Sequence, residues 1–205
     1  SMAAPFPADR LGSGGMIPLN VLTELGKQYQ IFPWTGFGTL YGTRRMVAAA
    51  QREVKAALGS IATRMMFLTP RRAQQLARLT RLIPGRAGRG LQGMTATLVK
   101  SLELVAGRPN ATALPLAYWR NKRKTPTSPM NPSADGCGLI WYAPLVPMRP
   151  ADVRAYVNMV MEVMPRHGLE PLITLTTLSD KLFDSTIPLV FDRDSPATVA
   201  ATAKP

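Results

Sequence analysis

This sequence has little of several things, and each shortage narrows what the chain can be. Cys137 is its only cysteine, so no intrachain disulfide framework and no cysteine-based zinc cluster can form. His167 is its only histidine, so a His-rich metal site is excluded and any Ser-His-Asp triad must use that residue. Aromatic residues make up 7% and are not interleaved with the basic clusters, which argues against a base-stacking platform. No run of about eighteen apolar residues occurs, so the sequence offers no membrane-spanning helix. No charged segment followed by an apolar one opens the chain, so no signal peptide is visible. P-loop, H-E-x-x-H and EF-hand patterns are missing, and Gly36-Phe37-Gly38 lacks the remaining spacing of a dinucleotide fingerprint.

Acidic residues are scarce in one half only. The 205 residues carry a net charge of +13. Residues 1–130 hold nineteen basic and four acidic residues, and residues 131–205 hold six and eight. The basic groups cluster at Arg44-Arg45, Arg71-Arg72, Arg78 to Arg81, Arg86 to Arg89 and Arg120 to Lys124. One reading is a basic nucleic-acid-binding module that neutralises phosphates. The other is a solvated face, or a face covered by another part of the same protein. No zinc-finger spacing, RNP-type motif or basic zipper supports the first.

Apolar residues make up 46%, enough for a core in one ordinary domain. Residues 1–15, rich in Ala, Pro and Gly, read as an arm or linker, residues 16–194 as a domain, and 195–205 as a disordered tail. Helical periodicity marks 18–30, 44–58, 70–83, 95–106 and 150–166. Strand character marks 31–43, 61–68, 138–143, 172–177 and 186–191, with Pro188 arguing that the last is an edge strand or starts irregularly. Gly85 to Gly93, with four glycines, reads as a loop. The order suggests two α/β half-units, ferredoxin-like, around a mostly antiparallel sheet with helices packed on one face: an α+β fold. His167 follows a helix end, where its charge would complement the helix dipole. Cys137 precedes an apolar strand and reads as a small core residue. No cluster of acid, base and nucleophile emerges from the residues themselves.

Four ordered segments carry a resemblance. They are Leu116-Ala117-Tyr118-Trp119-Arg120, Asp135 to Pro147 (DGCGLIWYAPLVP), Leu172 to Thr176, and Val190-Phe191-Asp192-Arg193, joined by Trp34 and Gly38 to Thr43. Over residues 15–194 they resemble the cap domain of FAD-linked oxidoreductases of the vanillyl-alcohol oxidase, p-cresol methylhydroxylase and eugenol hydroxylase family. The resemblance implies an enzyme portion that covers the flavin ring and shapes a pocket for a para-alkylphenol. Such a phenol loses a hydride to the flavin and passes through a quinone methide. It further implies that most of the FAD is held by an FAD-binding domain outside this chain, so that the chain is inactive alone. No Tyr or His lies in 177–190, so the flavin would be held noncovalently.

By position in that family, Thr176, Asp180, Asp184 and Ser185 are the cofactor-binding candidates, and Trp141, Tyr142 and Thr174 the substrate-pocket candidates. Alternation puts Trp141 and Tyr142 on opposite faces, so at most one lines the pocket. Asp180 is better explained as plain turn chemistry. The resemblance implies a homo-oligomer, and leaves oxygen, a cytochrome c or a cupredoxin open as electron acceptor. A soluble chain of the cytoplasm or periplasm fits either way.

Overall fold

The computed structural model describes residues 17–29, 32–120 and 125–203. The expected arm over 1–15 lies outside the described residues. The fold is α+β. Helices α1 (Leu19–Tyr29), α2 (Arg44–Leu58), α3 (Pro70–Thr80) and α4 (Gly85–Val105) come first. A 3₁₀ turn (Leu114–Tyr118) leads to β1 (Cys137–Tyr142) and β2 (Leu145–Pro147). Then follow α5 (Pro150–Arg166), β3 (Thr174–Thr177), β4 (Leu182–Asp192) and α6 (Pro196–Thr202). No helix among the described residues is long and apolar enough to cross a membrane.

The expected single domain over 16–194 divides into two compact units. One is Phe32–Thr112; the other joins Ala113–Pro205 to the N-terminal segment that contains α1. In the first, Thr43 caps α2 by accepting from the Met46 N–H, and Thr69 caps α3 by accepting from the Arg72 N–H. Helices α3 and α4 form a hairpin held by small and polar groups. The buried Thr80 and Thr95 hydroxyls lie 3.1 Å apart, and the Gln92 amide donates to the Thr80 carbonyl at 3.1 Å.

Here three expectations are corrected. Residues 85–93 are not a loop but the first turns of α4. Glycine weakens a helix, yet at Gly88 it is needed: a Cβ there would lie 1.8 Å from the Ile83 carbonyl oxygen. The described part of 31–43, and 61–68, are not strands but irregular chain. Their apolar side chains have no neighbouring strand to pair with, and Phe37 is 90% and Ile61 76% exposed.

The second unit is built around β4. It pairs antiparallel with β1 over Ile187–Asp192 and with β2 over Leu182–Asp184. The register is unbroken: Tyr142 opposes Ile187 and Leu145 opposes Asp184, so β1 and β2 run in line along one edge. The Ser185 N–H donates to the Pro144 carbonyl at 3.0 Å and bridges the gap. Hairpin partner β3 occupies the other edge, from Thr174 opposite Thr186 to Thr177 opposite Phe183.

Pro188 therefore sits in the central strand, not at an edge, and the register explains how. Because Ser185 bonds toward β2, odd-numbered residues of β4 aim their backbone groups at β1 and β2, and even-numbered ones at β3. β3 starts at Thr174, opposite Thr186, so position 188 faces no strand on its own side and needs no N–H.

Helix α5 covers one face of this sheet. Val160, Met164 and Leu169 pack with Ile187 and Leu189, flanked by Tyr156 and Ile173. Gly168, at φ 67°, turns the chain out of the helix, a conformation glycine adopts without penalty. The expected disordered tail is instead α6. Ser195 caps it by accepting from the Thr198 N–H, the Thr198 hydroxyl donates to the Asp192 carbonyl at 2.7 Å, and Thr202 is buried. Side-chain caps give this small, polar segment the local partners that its composition did not suggest.

Candidate functional site

In an antiparallel pair, directly opposed residues point to the same face and alternate residues to opposite faces. The register therefore sorts the seven candidate residues. Asp184 opposes Thr176 and Leu145, Thr186 opposes Thr174, and Pro188 opposes Trp141. Trp141, Thr174, Thr176 and Asp184 thus share one face with Leu145, Thr186 and Pro188. The core residues Ile187 and Leu189 lie on the other face, under α5.

The first face is uncovered along much of its length among the described residues. Trp141 is 54% and Leu145 59% exposed, Thr174 and Thr176 are exposed, and Asp184 is half-buried. This face offers a broad indole, two hydroxyls and one carboxylate side by side. The four strands contain no Lys or Arg. Such a face suits a planar ring with hydrogen-bonding edges. It has nothing in its strands to neutralise the phosphates of a dinucleotide.

Two candidates fall on the other face. Tyr142 opposes Ile187, and Ser185 opposes Leu175. Ser185 is 0% exposed, and its hydroxyl lies 2.7 Å from that of Tyr156. Burial raises the Tyr156 pKa, the bond to Ser185 opposing it. The pair is a satisfied polar contact inside the core, so a cofactor on the open face cannot reach Ser185. Asp180 is exposed in the turn between β3 and β4, where the Ser179 hydroxyl accepts from the Lys181 N–H. It stands apart from the group on the strands.

Sequence reasoning missed a further group next to the open face. Trp119, Arg120, Leu169, Glu170, Leu172, Pro188 and Val190 line a small cleft with room for about one water. Pro188 and Val190 alternate onto the open face, and Pro188 directly opposes Trp141. The Arg120 Nη2 is buried and has no hydrogen-bond partner. Burial lowers the Arg120 pKa, and the charge of Glu170 opposes that shift. Glu170 itself accepts the Ile17 N–H at 2.7 Å. The only sequence signal was the Tyr118-Trp119-Arg120 run beside a basic loop.

Tyr118 is anchored separately. Its hydroxyl donates to Asp135, which also accepts from the Thr127 N–H at 3.0 Å and the Thr127 hydroxyl at 3.2 Å. Burial and the Asp135 bond push the Tyr118 pKa up to about 12, while the Tyr118 and Thr127 bonds hold Asp135 below the usual carboxylate range. This network pins the Pro-rich loop onto the start of β1.

No protein-family model matches the chain. It is similar to 1'-carboxy-chondrochloren decarboxylase of Chondromyces crocatus, 27% identical over 197 residues. The match takes in 96% of this chain and 36% of that protein, so the chain spans about a third of the relative's length.

Proposed function

We propose that this chain is the substrate-binding cap portion of a longer FAD-dependent oxidoreductase that oxidises para-alkylphenols. The observation that carries the reading is the gathering of Trp141, Thr174, Thr176 and Asp184 on one open sheet face. Three of them, Trp141, Thr174 and Thr176, come from the segments on which the family resemblance rests. The share of the matching relative that the chain covers, 36%, supports a portion of a longer protein.

FAD, when bound, would supply the hydride acceptor. This chain's residues would bind and orient. The Trp141 indole offers a flat apolar surface to a phenol or flavin ring. The Thr174 and Thr176 hydroxyls donate or accept at the ring edge. Asp184, half-buried between them and Leu145, accepts a hydrogen bond from a substrate hydroxyl or a water. The α5 side, with Ser185 and Tyr156, holds the sheet rigid beneath. The FAD phosphates would be held by an FAD-binding domain outside this chain, as the family resemblance implies.

The relative's name favours a second reading of the reaction, on the same face. That protein is a decarboxylase named for a 1'-carboxy compound, so the substrate here would carry a carboxylate.

A flavin titration tests the first reading. The chain alone should quench FAD fluorescence weakly or not at all, and tight stoichiometric binding would overturn the cap assignment. The polypeptide encoded by the surrounding reading frame should purify with FAD, and p-cresol should bleach it without oxygen. A colourless product, or a flavin that no para-alkylphenol reduces, would overturn it as well.

A further inference from the structure

We infer that Arg120 is the carboxylate-recognising residue of this site, its guanidinium held in the cleft beside Trp141 to receive the carboxylate of an aromatic acid. The inference deepens the proposed function and rests on it for the aromatic part of the ligand. The carboxylate part stands on the cleft itself.

Four observations converge. First, the Arg120 Nη2 is buried with no hydrogen-bond partner. A buried donor on a charged group left unpaired is costly, so such positions usually hold a partner when the protein works. Second, Glu170, the carboxylate in the cleft lining, forms no hydrogen bond with that Nη2, while its Oε1 accepts the Ile17 N–H at 2.7 Å. Glu170 offsets part of the guanidinium charge and leaves hydrogen-bonding capacity on Arg120 unused. Third, the cleft walls are apolar: Trp119, Leu169, Leu172, Pro188 and Val190. Such walls lower the local dielectric, and a charge pair formed there is stronger than one in water. Fourth, the cleft adjoins the open face. Pro188 lines it and directly opposes Trp141, so the cleft and the Trp141 surface meet at Pro188.

The planar guanidinium is the donor that matches a carboxylate, presenting two parallel N–H groups where an ammonium presents one point charge. The space inside the cleft is only water-sized, so one carboxylate oxygen would enter it and the rest of the ligand would stay outside on the sheet face.

The test uses the chain as it stands and no flavin. The Arg120 Nε–H and Trp119 indole N–H resonances are followed by NMR while acetate, 4-hydroxybenzoate, p-cresol and inorganic phosphate are added separately. Acetate and 4-hydroxybenzoate should shift both resonances, with 4-hydroxybenzoate the tighter, and p-cresol should leave Arg120 unmoved. Arg120→Gln should weaken 4-hydroxybenzoate about tenfold or more, and Arg120→Lys by less. Glu170→Gln, which removes the resident negative charge, should strengthen acetate binding. Equal shifts from p-cresol and 4-hydroxybenzoate, a response to phosphate but not to carboxylates, or weaker acetate binding in Glu170→Gln would each overturn the inference. If Arg120→Gln fails to fold, the wild-type and Glu170→Gln titrations still decide. Since no flavin enters, failure here is distinguishable from failure of the cap reading, which the FAD and p-cresol experiments address.

Discussion

The second unit buries Val160, Met164, Leu169, Ile187 and Leu189 together, whereas the first buries Ala73, Thr80, Gly88 and Thr95. The one has an aliphatic core between a helix and a sheet. The other has a seam of small and polar groups between two helices, and turns its leucines outward: Leu76, Leu79 and Leu82 are all exposed. Charge divides the same way. Residues 32–112 carry thirteen basic and two acidic residues, and residues 113–205 ten and eight. An amphipathic helix normally buries its apolar stripe, so α3 is the reverse of what its sequence suggests. The contrast teaches that the two units owe their form to different forces. One is held by burial of large side chains, the other by local helix formation and by hydrogen bonds across a close helix approach.

The contrast is tested most severely at Ile187. It is 1% exposed at the centre of the α5 contact, so Ile187→Ala should destabilise by about 2–5 kcal/mol in urea unfolding. A cost under about 1 kcal/mol would mean that the aliphatic core is not what holds the second unit. In the first unit the matching site is Gly88. A Cβ there meets the Ile83 carbonyl, which belongs to the backbone and cannot swing aside. Gly88→Ala should cost about 1–3 kcal/mol and speed amide exchange in the first turns of α4. Unchanged exchange would show that the turn into α4 does not depend on a glycine at position 88.

Polar pairing inside the second unit gives a smaller effect. Tyr156→Phe leaves the Ser185 hydroxyl buried without its partner and should destabilise by about 1–3 kcal/mol. Adding Ser185→Ala should recover part of that loss, because no orphan group then remains. An additive double variant would mean that the two hydroxyls do not act as a pair.

The Asp135 network makes a pH prediction. Its pKa is lower in the folded chain than in an unfolded one, so its contribution is present above the ordinary carboxylate pKa. That contribution is lost as the pH falls through the folded value. The Thr127 to Asp135 loop should therefore loosen in acid, read as faster exchange of the Thr127 amide. Asp135→Asn should remove the pH dependence. A loop equally loose at neutral and acid pH would contradict the network.

The same contrast explains what the sequence made legible. Helices α1, α2, α3 and α5 and strands β1 and β3 stand close to their expected bounds, because periodicity, caps and turns are local signals, whereas β4 begins at Leu182, four residues before the expected Thr186. The glycine-rich start of α4 was hidden, since the carbonyl that demands Gly88 lies in the preceding turn. The apolar runs at 31–43 and 61–68 have strand composition, but strand formation depends on a partner elsewhere in the chain. For the site, alternation alone separated Trp141 from Tyr142 and aligned Thr174 with Thr176. Adding Asp184 to that face, and excluding Ser185 from it, required the register of β4 against both neighbours. The Arg120 cleft joins residues up to 71 positions apart, which no local pattern reveals.

The smallest expected effect is the sharpest test of the first unit. Leu79 is 60% exposed on the outward side of α3, so Leu79→Ala removes little buried surface. Alanine is also the better helix former by a few tenths of a kcal/mol. The two terms oppose each other, and the chain alone should change by no more than about 0.5 kcal/mol. Ile187→Ala, by contrast, removes a side chain that the fold surrounds. If Leu79→Ala in the isolated chain costs as much as Ile187→Ala, the leucine row is already covered, and the unit has a hydrophobic core of its own. The unfolding midpoint of Leu79→Ala would then depend on protein concentration if a second copy supplies that cover. The thirteen basic residues against two make such self-association unfavourable at low salt. A midpoint independent of concentration, with a change near zero, leaves α3 as a helix whose apolar side is free.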